Sequence, residues 1–395
     1  MKQLLKNYPL TVIVLAQLFG TSLWFSINSV AFNLTEHIGL TEAGLGHLTL
    51  AVQFGFITGT LLLAVSGLAD RYPASRVFTL AALLGALSNA LFIVIADTFS
   101  LALLFRFLTG LCLAGIYPIG MKLVISWTPQ YAGRALGWLV GMLTLGTAFP
   151  HLLRAATPSL NWQYTLLLAS LLAVIAAGLI FLLGEGRELP RRSYGVSPLQ
   201  GLTAWKDKRF RKISAGYFGH SWELYAFWTL VPFLVGREIS RLNAEPFWIS
   251  WLAFGVIGLG LFGCVVGGFI SRSTGSLGVA KSMLMASGLI CLLYPFLGQL
   301  PPWVLLTLLA LWGFTVIADS PQFSALASAN APKEHLGSAL AMMNAIGFSL
   351  TLPAIALVTS FWPSMELWVL FFLLPGPVAG LWAMFKLEKN QLKEI

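Results

Sequence analysis

Charge is scarce in this chain: Asp, Glu, Lys and Arg make up 10% of the 395 residues, against 57% hydrophobic residues and a mean hydropathy of +0.81. A soluble globular domain carries about 25% charged residues, so that class is excluded and a polytopic membrane protein is expected. Cysteine is nearly missing as well. Cys112, Cys264 and Cys291 sit singly in apolar runs, without the spacing of a disulfide framework or a zinc site, so neither a redox centre nor a metal is expected. The chain lacks a His-Glu-x-x-His helix, a Gly-Lys-Ser phosphate loop and an elbow serine. ATP hydrolysis and intramembrane proteolysis therefore have no residues to perform them, and no enzyme activity or cofactor is expected.

The apolar residues gather into windows long enough to cross a bilayer, at roughly 9–34, 43–68, 77–96, 101–127, 135–155, 163–183, 213–235, 248–270, 279–297, 303–328, 338–360 and 367–385. The first follows Lys2 and Lys6 as a signal peptide would, but it is too long and continues through aromatic residues, so it reads as a retained helix. With the N-terminus in the cytoplasm, all of the 24 Lys and Arg residues fall on or beside cytoplasmic loops except Arg106, Arg154, Arg237 and Arg241. The net charge of +9 thus reports topology and not a nucleic-acid footprint. Both termini are expected inside, in the inner membrane. The basic, Gly- and Pro-containing stretch 184–212 reads as a cytoplasmic linker, touching anionic lipid heads, between a bundle at 1–183 and another at 213–395.

The two halves echo each other. Phe19-Gly20-Thr21-Ser22 is followed 199 positions later by Phe218-Gly219-His220-Ser221. Gly67-Leu68-Ala69-Asp70-Arg71 has a counterpart in Gly268-Phe269-Ile270-Ser271-Arg272, and the Gly133 to Pro150 interval in Gly337 to Pro353. Three matches in one order at nearly constant offset argue for a duplicated six-helix unit.

Gly67-Leu68-Ala69-Asp70-Arg71-Tyr72-Pro73-Ala74-Ser75-Arg76 resembles the loop motif of the major facilitator superfamily, although Ser66 and Pro73 stand where glycines are usual. Arg106-Phe107-Leu108-Thr109-Gly110, running on to Ala114, resembles the family's fourth-helix motif, which it associates with proton coupling. The fifth-helix signature of the family's drug antiporters is not met, since Gly141 is followed by Met142. The resemblance covers essentially the whole chain. It implies an all-α membrane protein of twelve transmembrane helices in two pseudo-symmetric six-helix bundles. It also implies a cytoplasmic latch at Asp70, Arg71 and Arg76, with Arg134 as a basic partner for Asp70.

An arginine within hydrocarbon costs at least ~2.5 kcal/mol, so Arg106 either faces a protein interior or cavity or snorkels to the nearer interface. On a straight helix it shares a face with Gly110, Leu113 and Tyr117, and Lys122 lies opposite unless Pro118 bends the run. In the seventh window His220 and Glu223 stand three apart among Trp222, Tyr225 and Trp228. A carboxylate at that depth exchanges a proton near neutral pH unless a cation holds it ionised, and histidine titrates in the same range. Glu223 is therefore the leading proton site, unless the pair simply packs. The aromatic residues either stack on substrate or fill the core. His151 and Arg154 share a face at the outer end of the fifth window, as an anion vestibule or an interfacial anchor. Asp319-Ser320-Pro321 breaks the tenth window, as a hinge or as a second proton site. Gly55 with Gly59, and Gly137 with Gly141, read as close helix contacts.

These residues point to a monomeric secondary transporter that moves a small anionic solute with protons by alternating access. Two alternatives are a proton-linked exporter of amphiphilic compounds and a non-transporting receptor or assembly factor on the same scaffold. The topology has a direct test: in the variant Ser193→Cys, an impermeant thiol reagent labels the linker only after the membrane is opened. Labelling from outside overturns the orientation.

Overall fold

A computed structural model gives the fold and describes residues 2–66, 68–95, 98–128, 132–186, 198–332 and 336–391. Every regular element among them is helical. The first apolar run is not one helix. After α1 (Lys2–Asn7) and α2 (Pro9–Thr21), turns lead through a short 3-10 segment, Asn28–Val30, into α3 (Ala31–Ile38). The sequence supplies the cause. Thr21, Ser22, Ser26 and Ser29 each donate a hydroxyl hydrogen bond to a carbonyl three or four residues earlier, at 2.6–3.1 Å, and such back-bonding bends helices.

The chain continues through α4 (Glu42–Ser66), α5 (Leu68–Arg71) and α6 (Ala74–Ile95). The window 101–127 divides into α7 (Phe99–Leu113) and α8 (Tyr117–Trp127), because Pro118 cannot donate to the turn before it. Next come α9 (Ala132–Ala156), α10 (Trp162–Leu183) and a 3-10 segment, Pro198–Lys206. Helix α11 (Lys208–Arg241) starts five residues before the expected end of the linker. Asp207 caps it, accepting from the amides of Arg209 and Phe210 at 2.7 and 2.8 Å.

The eighth and ninth windows are two helices, as expected, that meet at a break at Gly275 with φ 75° and ψ 157°; they are labelled together as α12 (Phe247–Leu293). The tenth window breaks at Asp319 between α13 (Pro302–Ala318) and α14 (Ser320–Asn330), where Pro321 ends the ladder. Helix α15 (Leu336–Met365), a 3-10 segment (Glu366–Phe372) and α16 (Pro375–Gln391) complete the described chain. Among the described residues, eight stretches are long and apolar enough to cross a membrane. Helix α11 is not one of them: the polar residues in its middle and the charges at both ends lower its hydropathy.

Small residues set the tightest contacts. A Cβ on Gly110 of α7 would overlap the carbonyl of Val52 on α4, and a Cβ on Gly313 of α13 would overlap the carbonyl of Val256 on α12. These two contacts lie 203 and 204 positions apart, so one local packing solution occurs twice in the chain. Gly55 and Gly59 abut α7 through the Phe107 and Leu111 carbonyls, and Gly141 meets Leu261 of α12. Gly137 has open space around it, so the pair it forms with Gly141 is not a two-point helix contact as its spacing suggests. Helix α4 also packs on α15, and α9 on α12. These contacts form a seam between residues before and after the linker.

Gly110→Ala and Gly313→Ala are expected to destabilise the protein by about 1–3 kcal/mol each through overpacking. Gly137→Ala should leave the melting temperature unchanged or raise it slightly. Thermal unfolding in detergent checks all three.

Candidate functional site

Along the seam, two cavities lie on either side of a stack of rings. The larger, about 860 Å³, opens at the end of the bundle where α3, α11 and α15 finish; Phe32, Glu36, Arg154, Phe233, Arg237, Trp362 and Glu366 are among its lining residues. The smaller, about 210 Å³, lies towards the opposite end and is lined by α4, α8 and α15. Between them Trp24 packs on Phe56 at 4.7 Å between ring centroids, on Tyr225 at 5.5 Å and on Phe348 at 6.2 Å. Phe56 and Phe348 meet at 4.7 Å, and Phe25 and Tyr225 both reach Trp228. One chain of polar contacts crosses this septum. The Trp24 indole Nε1 donates to Gln53 Oε1 at 3.1 Å, and Gln53 Nε2 donates to Thr351 Oγ1 at 2.8 Å.

Arg106 supports the septum from behind. Its side chain is fully buried and does not snorkel. The guanidinium donates to the Trp24 carbonyl at 2.6 Å, the Leu23 carbonyl at 3.3 Å, Ser26 Oγ at 3.3 Å and Asn89 Oδ1 at 3.1 Å. All of these acceptors are neutral. The break after Thr21 frees the carbonyls of Leu23 and Trp24, and the arginine fork supplies the donors that an unbroken helix would have provided. Asn89 is fixed in turn, donating to the Leu166 carbonyl and Ser170 Oγ. Arg106 lines neither cavity, and the break at Ala114–Ile116 separates its helix from that of Tyr117.

The polar residues of α11 diverge to separate partners. His220 Nδ1 lies 2.7 Å from Asp319 Oδ1, with both residues buried. Asp319 stands at the junction of α13 and α14, where its carbonyl accepts from the amides of Gln322 and Phe323. Glu223 does not meet His220 or Arg106. Its carboxylate accepts from Trp312 Nε1 at 2.7 Å and Ser287 Oγ at 2.9 Å, inside the packing of α11, α12 and α13. Trp222 turns away from the septum and donates to the Phe372 carbonyl, whereas Tyr225 belongs to the septum.

Tyr117 lines the smaller cavity, and Lys122, half-buried, lies one residue beyond that lining. Arg154 lines the larger cavity while donating to the carbonyls of Thr157 and Leu160, which closes the end of α9. His151 is buried with Nε2 unpartnered among the described residues. Arg71 and Arg76 are exposed, and the side chains of Asp70 and Arg134 lie outside what is described.

Sequence reasoning missed Trp24, Gln53, Thr351 and Phe348, because ordinary apolar windows contain them. It also missed a clamp at the larger cavity. Glu238 is fully buried between Arg237 and Arg241, and these arginines donate onward to the carbonyls of Gly298 and Leu300. The pattern Arg237-Glu238 with Arg241 three residues on would have been its signal.

Apolar helices meeting along a seam, with a cavity on each side of a closed septum, define a multi-pass helical membrane protein of the transporter class. The chain belongs to the Major Facilitator Superfamily, whose profile matches residues 13–352. It is similar to a bacterial homolog of the human lysosomal transporter Spinster, whose crystal structure is inward-facing and unoccupied. The TM-score is 0.64 at 15% identity, covering 97% of this chain and 94% of that one. It is also 32% identical over 160 residues to the niacin transporter NiaP of Acinetobacter baylyi; that match takes in 37% of this chain and spans about a third (34%) of the relative's length.

Arg106→Lys keeps the charge but has fewer donors and no planar fork. It should strand a buried carbonyl at a cost of about 1–3 kcal/mol and lower the melting temperature in detergent. An unchanged melting temperature would show that the arginine does not hold the break.

Proposed function

We propose that this chain is a secondary transporter of the inner membrane that carries a small organic anion, with protons, by rocking two six-helix bundles about the seam. The bundles are residues 1–183 and 213–395, with both termini and the linker cytoplasmic. The observation that carries the reading is the septum: two cavities on one path, closed between them by rings from both sides of the seam. Alternating access requires such a barrier, opened to one face at a time.

The anionic class is supported by the partial similarity to a carrier of niacin, a ring carboxylate; the charged residues in the wall of the larger cavity, Arg154 and Arg237 with Glu36 and Glu366, are balanced and do not by themselves choose a sign. The proton assignment favours Asp319 with His220 over Glu223. Both Glu223 oxygens already accept from neutral donors, within the packing of α11, α12 and α13 and away from any helix break. Asp319 lies 2.7 Å from His220 Nδ1 at a helix break, so a proton gained or lost by its carboxylate changes that contact and lets the α13–α14 junction adjust. Arg106 enters coupling indirectly, by holding Trp24 in the septum.

Proteoliposomes with an imposed pH gradient test this with organic acids. The wild type should concentrate an acid, and Asp319→Asn should retain exchange while losing at least tenfold in concentrative uptake. Full concentrative uptake by Asp319→Asn would return the proton to Glu223. Absence of flux with any acid would favour the scaffold reading.

A further inference from the structure

The smaller cavity is chemically unlike the larger one. We infer that it is a binding site for a single uncharged planar ring with one small polar substituent, such as an aromatic amide or an aromatic acid carrying its proton. This inference rests on the transport reading, because it names what the inner part of that path selects.

Size is the first argument. An apolar cavity of about 150 Å³ accepts benzene, and this chamber of about 210 Å³ has room for a ring and one substituent. Shape and chemistry are the second. Phe56 and Phe348, in contact with each other, form one wall at the underside of the septum, and Tyr117 and Met121 of α8 also line the space. Thr60 and Asn344 also line it, and the Thr60 Oγ1 atom is buried without a hydrogen-bond partner among the described residues. A buried hydroxyl without a partner is costly, and a ligand carbonyl or amide within reach would satisfy it.

Charge is the third argument. Among the described residues no Asp, Glu, Lys, Arg or His lines the chamber, in contrast to the two arginines and two glutamates of the larger cavity. A bare carboxylate entering it would lose its water without gaining a counter-ion, so the ionised form is selected against. A ring amide pays no such penalty, and an acid avoids it by keeping its proton.

Isothermal titration calorimetry on the purified full chain, with nicotinamide, benzamide, nicotinate and benzoate, tests the inference. The amides should bind saturably at pH 7.5. Both acids should bind at least tenfold more weakly there, and benzoate, whose protonated form is neutral, should tighten as the pH falls. Ala341→Leu, which fills the chamber, should weaken amide binding at least tenfold. Thr60→Val, nearly isosteric and safer for folding, should weaken it about threefold. No saturable amide binding, equal binding of acids and amides at every pH, or indifference to both substitutions overturns the inference. Flux in proteoliposomes separates the two readings. Proton-driven flux of some acid without ring binding leaves the transport reading standing and removes this one, whereas ring binding in a chain that moves no solute does the reverse.

Discussion

Arg106 and the break in the first apolar run depend on each other. A guanidinium taken out of water needs acceptors on every side, and no carboxylate faces it. The acceptors are carbonyls that exist only because Thr21, Ser22, Ser26 and Ser29 turn the chain out of helix. Conversely, the Trp24 carbonyl would be stranded in an apolar bundle if the arginine were not there, since Ser26 Oγ also serves the Leu23 carbonyl. The shortest of the bonds ends on Trp24, whose ring stands at the centre of the septum, so the closed state of the seam depends on this one buried cation.

The two halves of the chain solve similar problems with different chemistry. Each has a glycine seated on a carbonyl of the neighbouring helix, at Gly110 and at Gly313, and each has a helix break just before a proline, at Pro118 and at Pro321. At the polar positions the halves part company. Before the linker Arg106 is buried among neutral dipoles; after it, buried carboxylates stand beside a histidine, between an indole and a serine hydroxyl, and between two arginines. The same glycine contact and the same proline break thus carry different polar groups on the two sides of the linker.

The helical class and the break at Asp319-Ser320-Pro321 were legible in the sequence, because long apolar windows and a proline after Asp-Ser are strong local signals; the break after Thr21 was not. The cost of burying Arg106 was legible as well. Its partners were not, since they come from a run 83 residues earlier whose unwinding depends on hydroxyl side chains that look unremarkable one at a time. The spacing of His220 and Glu223 suggested a pair, but the helix presents them to different neighbours, and only tertiary packing chooses Asp319 for one and Trp312 with Ser287 for the other. The septum left no sequence signal of its own: a tryptophan or phenylalanine at a seam is indistinguishable in the sequence from one in a core.

The polar link across the septum from Gln53 to Thr351 joins two neutral groups. Such a bond contributes on the order of 1 kcal/mol net, and each ring contact beyond its area adds about as much. A solute held with micromolar affinity releases about 8 kcal/mol. Ring contacts between Trp24, Phe25 or Phe56 on one side and Tyr225, Trp228 or Phe348 on the other repeat that small term several times, so the septum as a whole is comparable with such a binding energy, of which only the part that differs between two states of the seam can act on it. Closure is thus spread over many small contacts, and the loss of any one ring loosens the seam without undoing it.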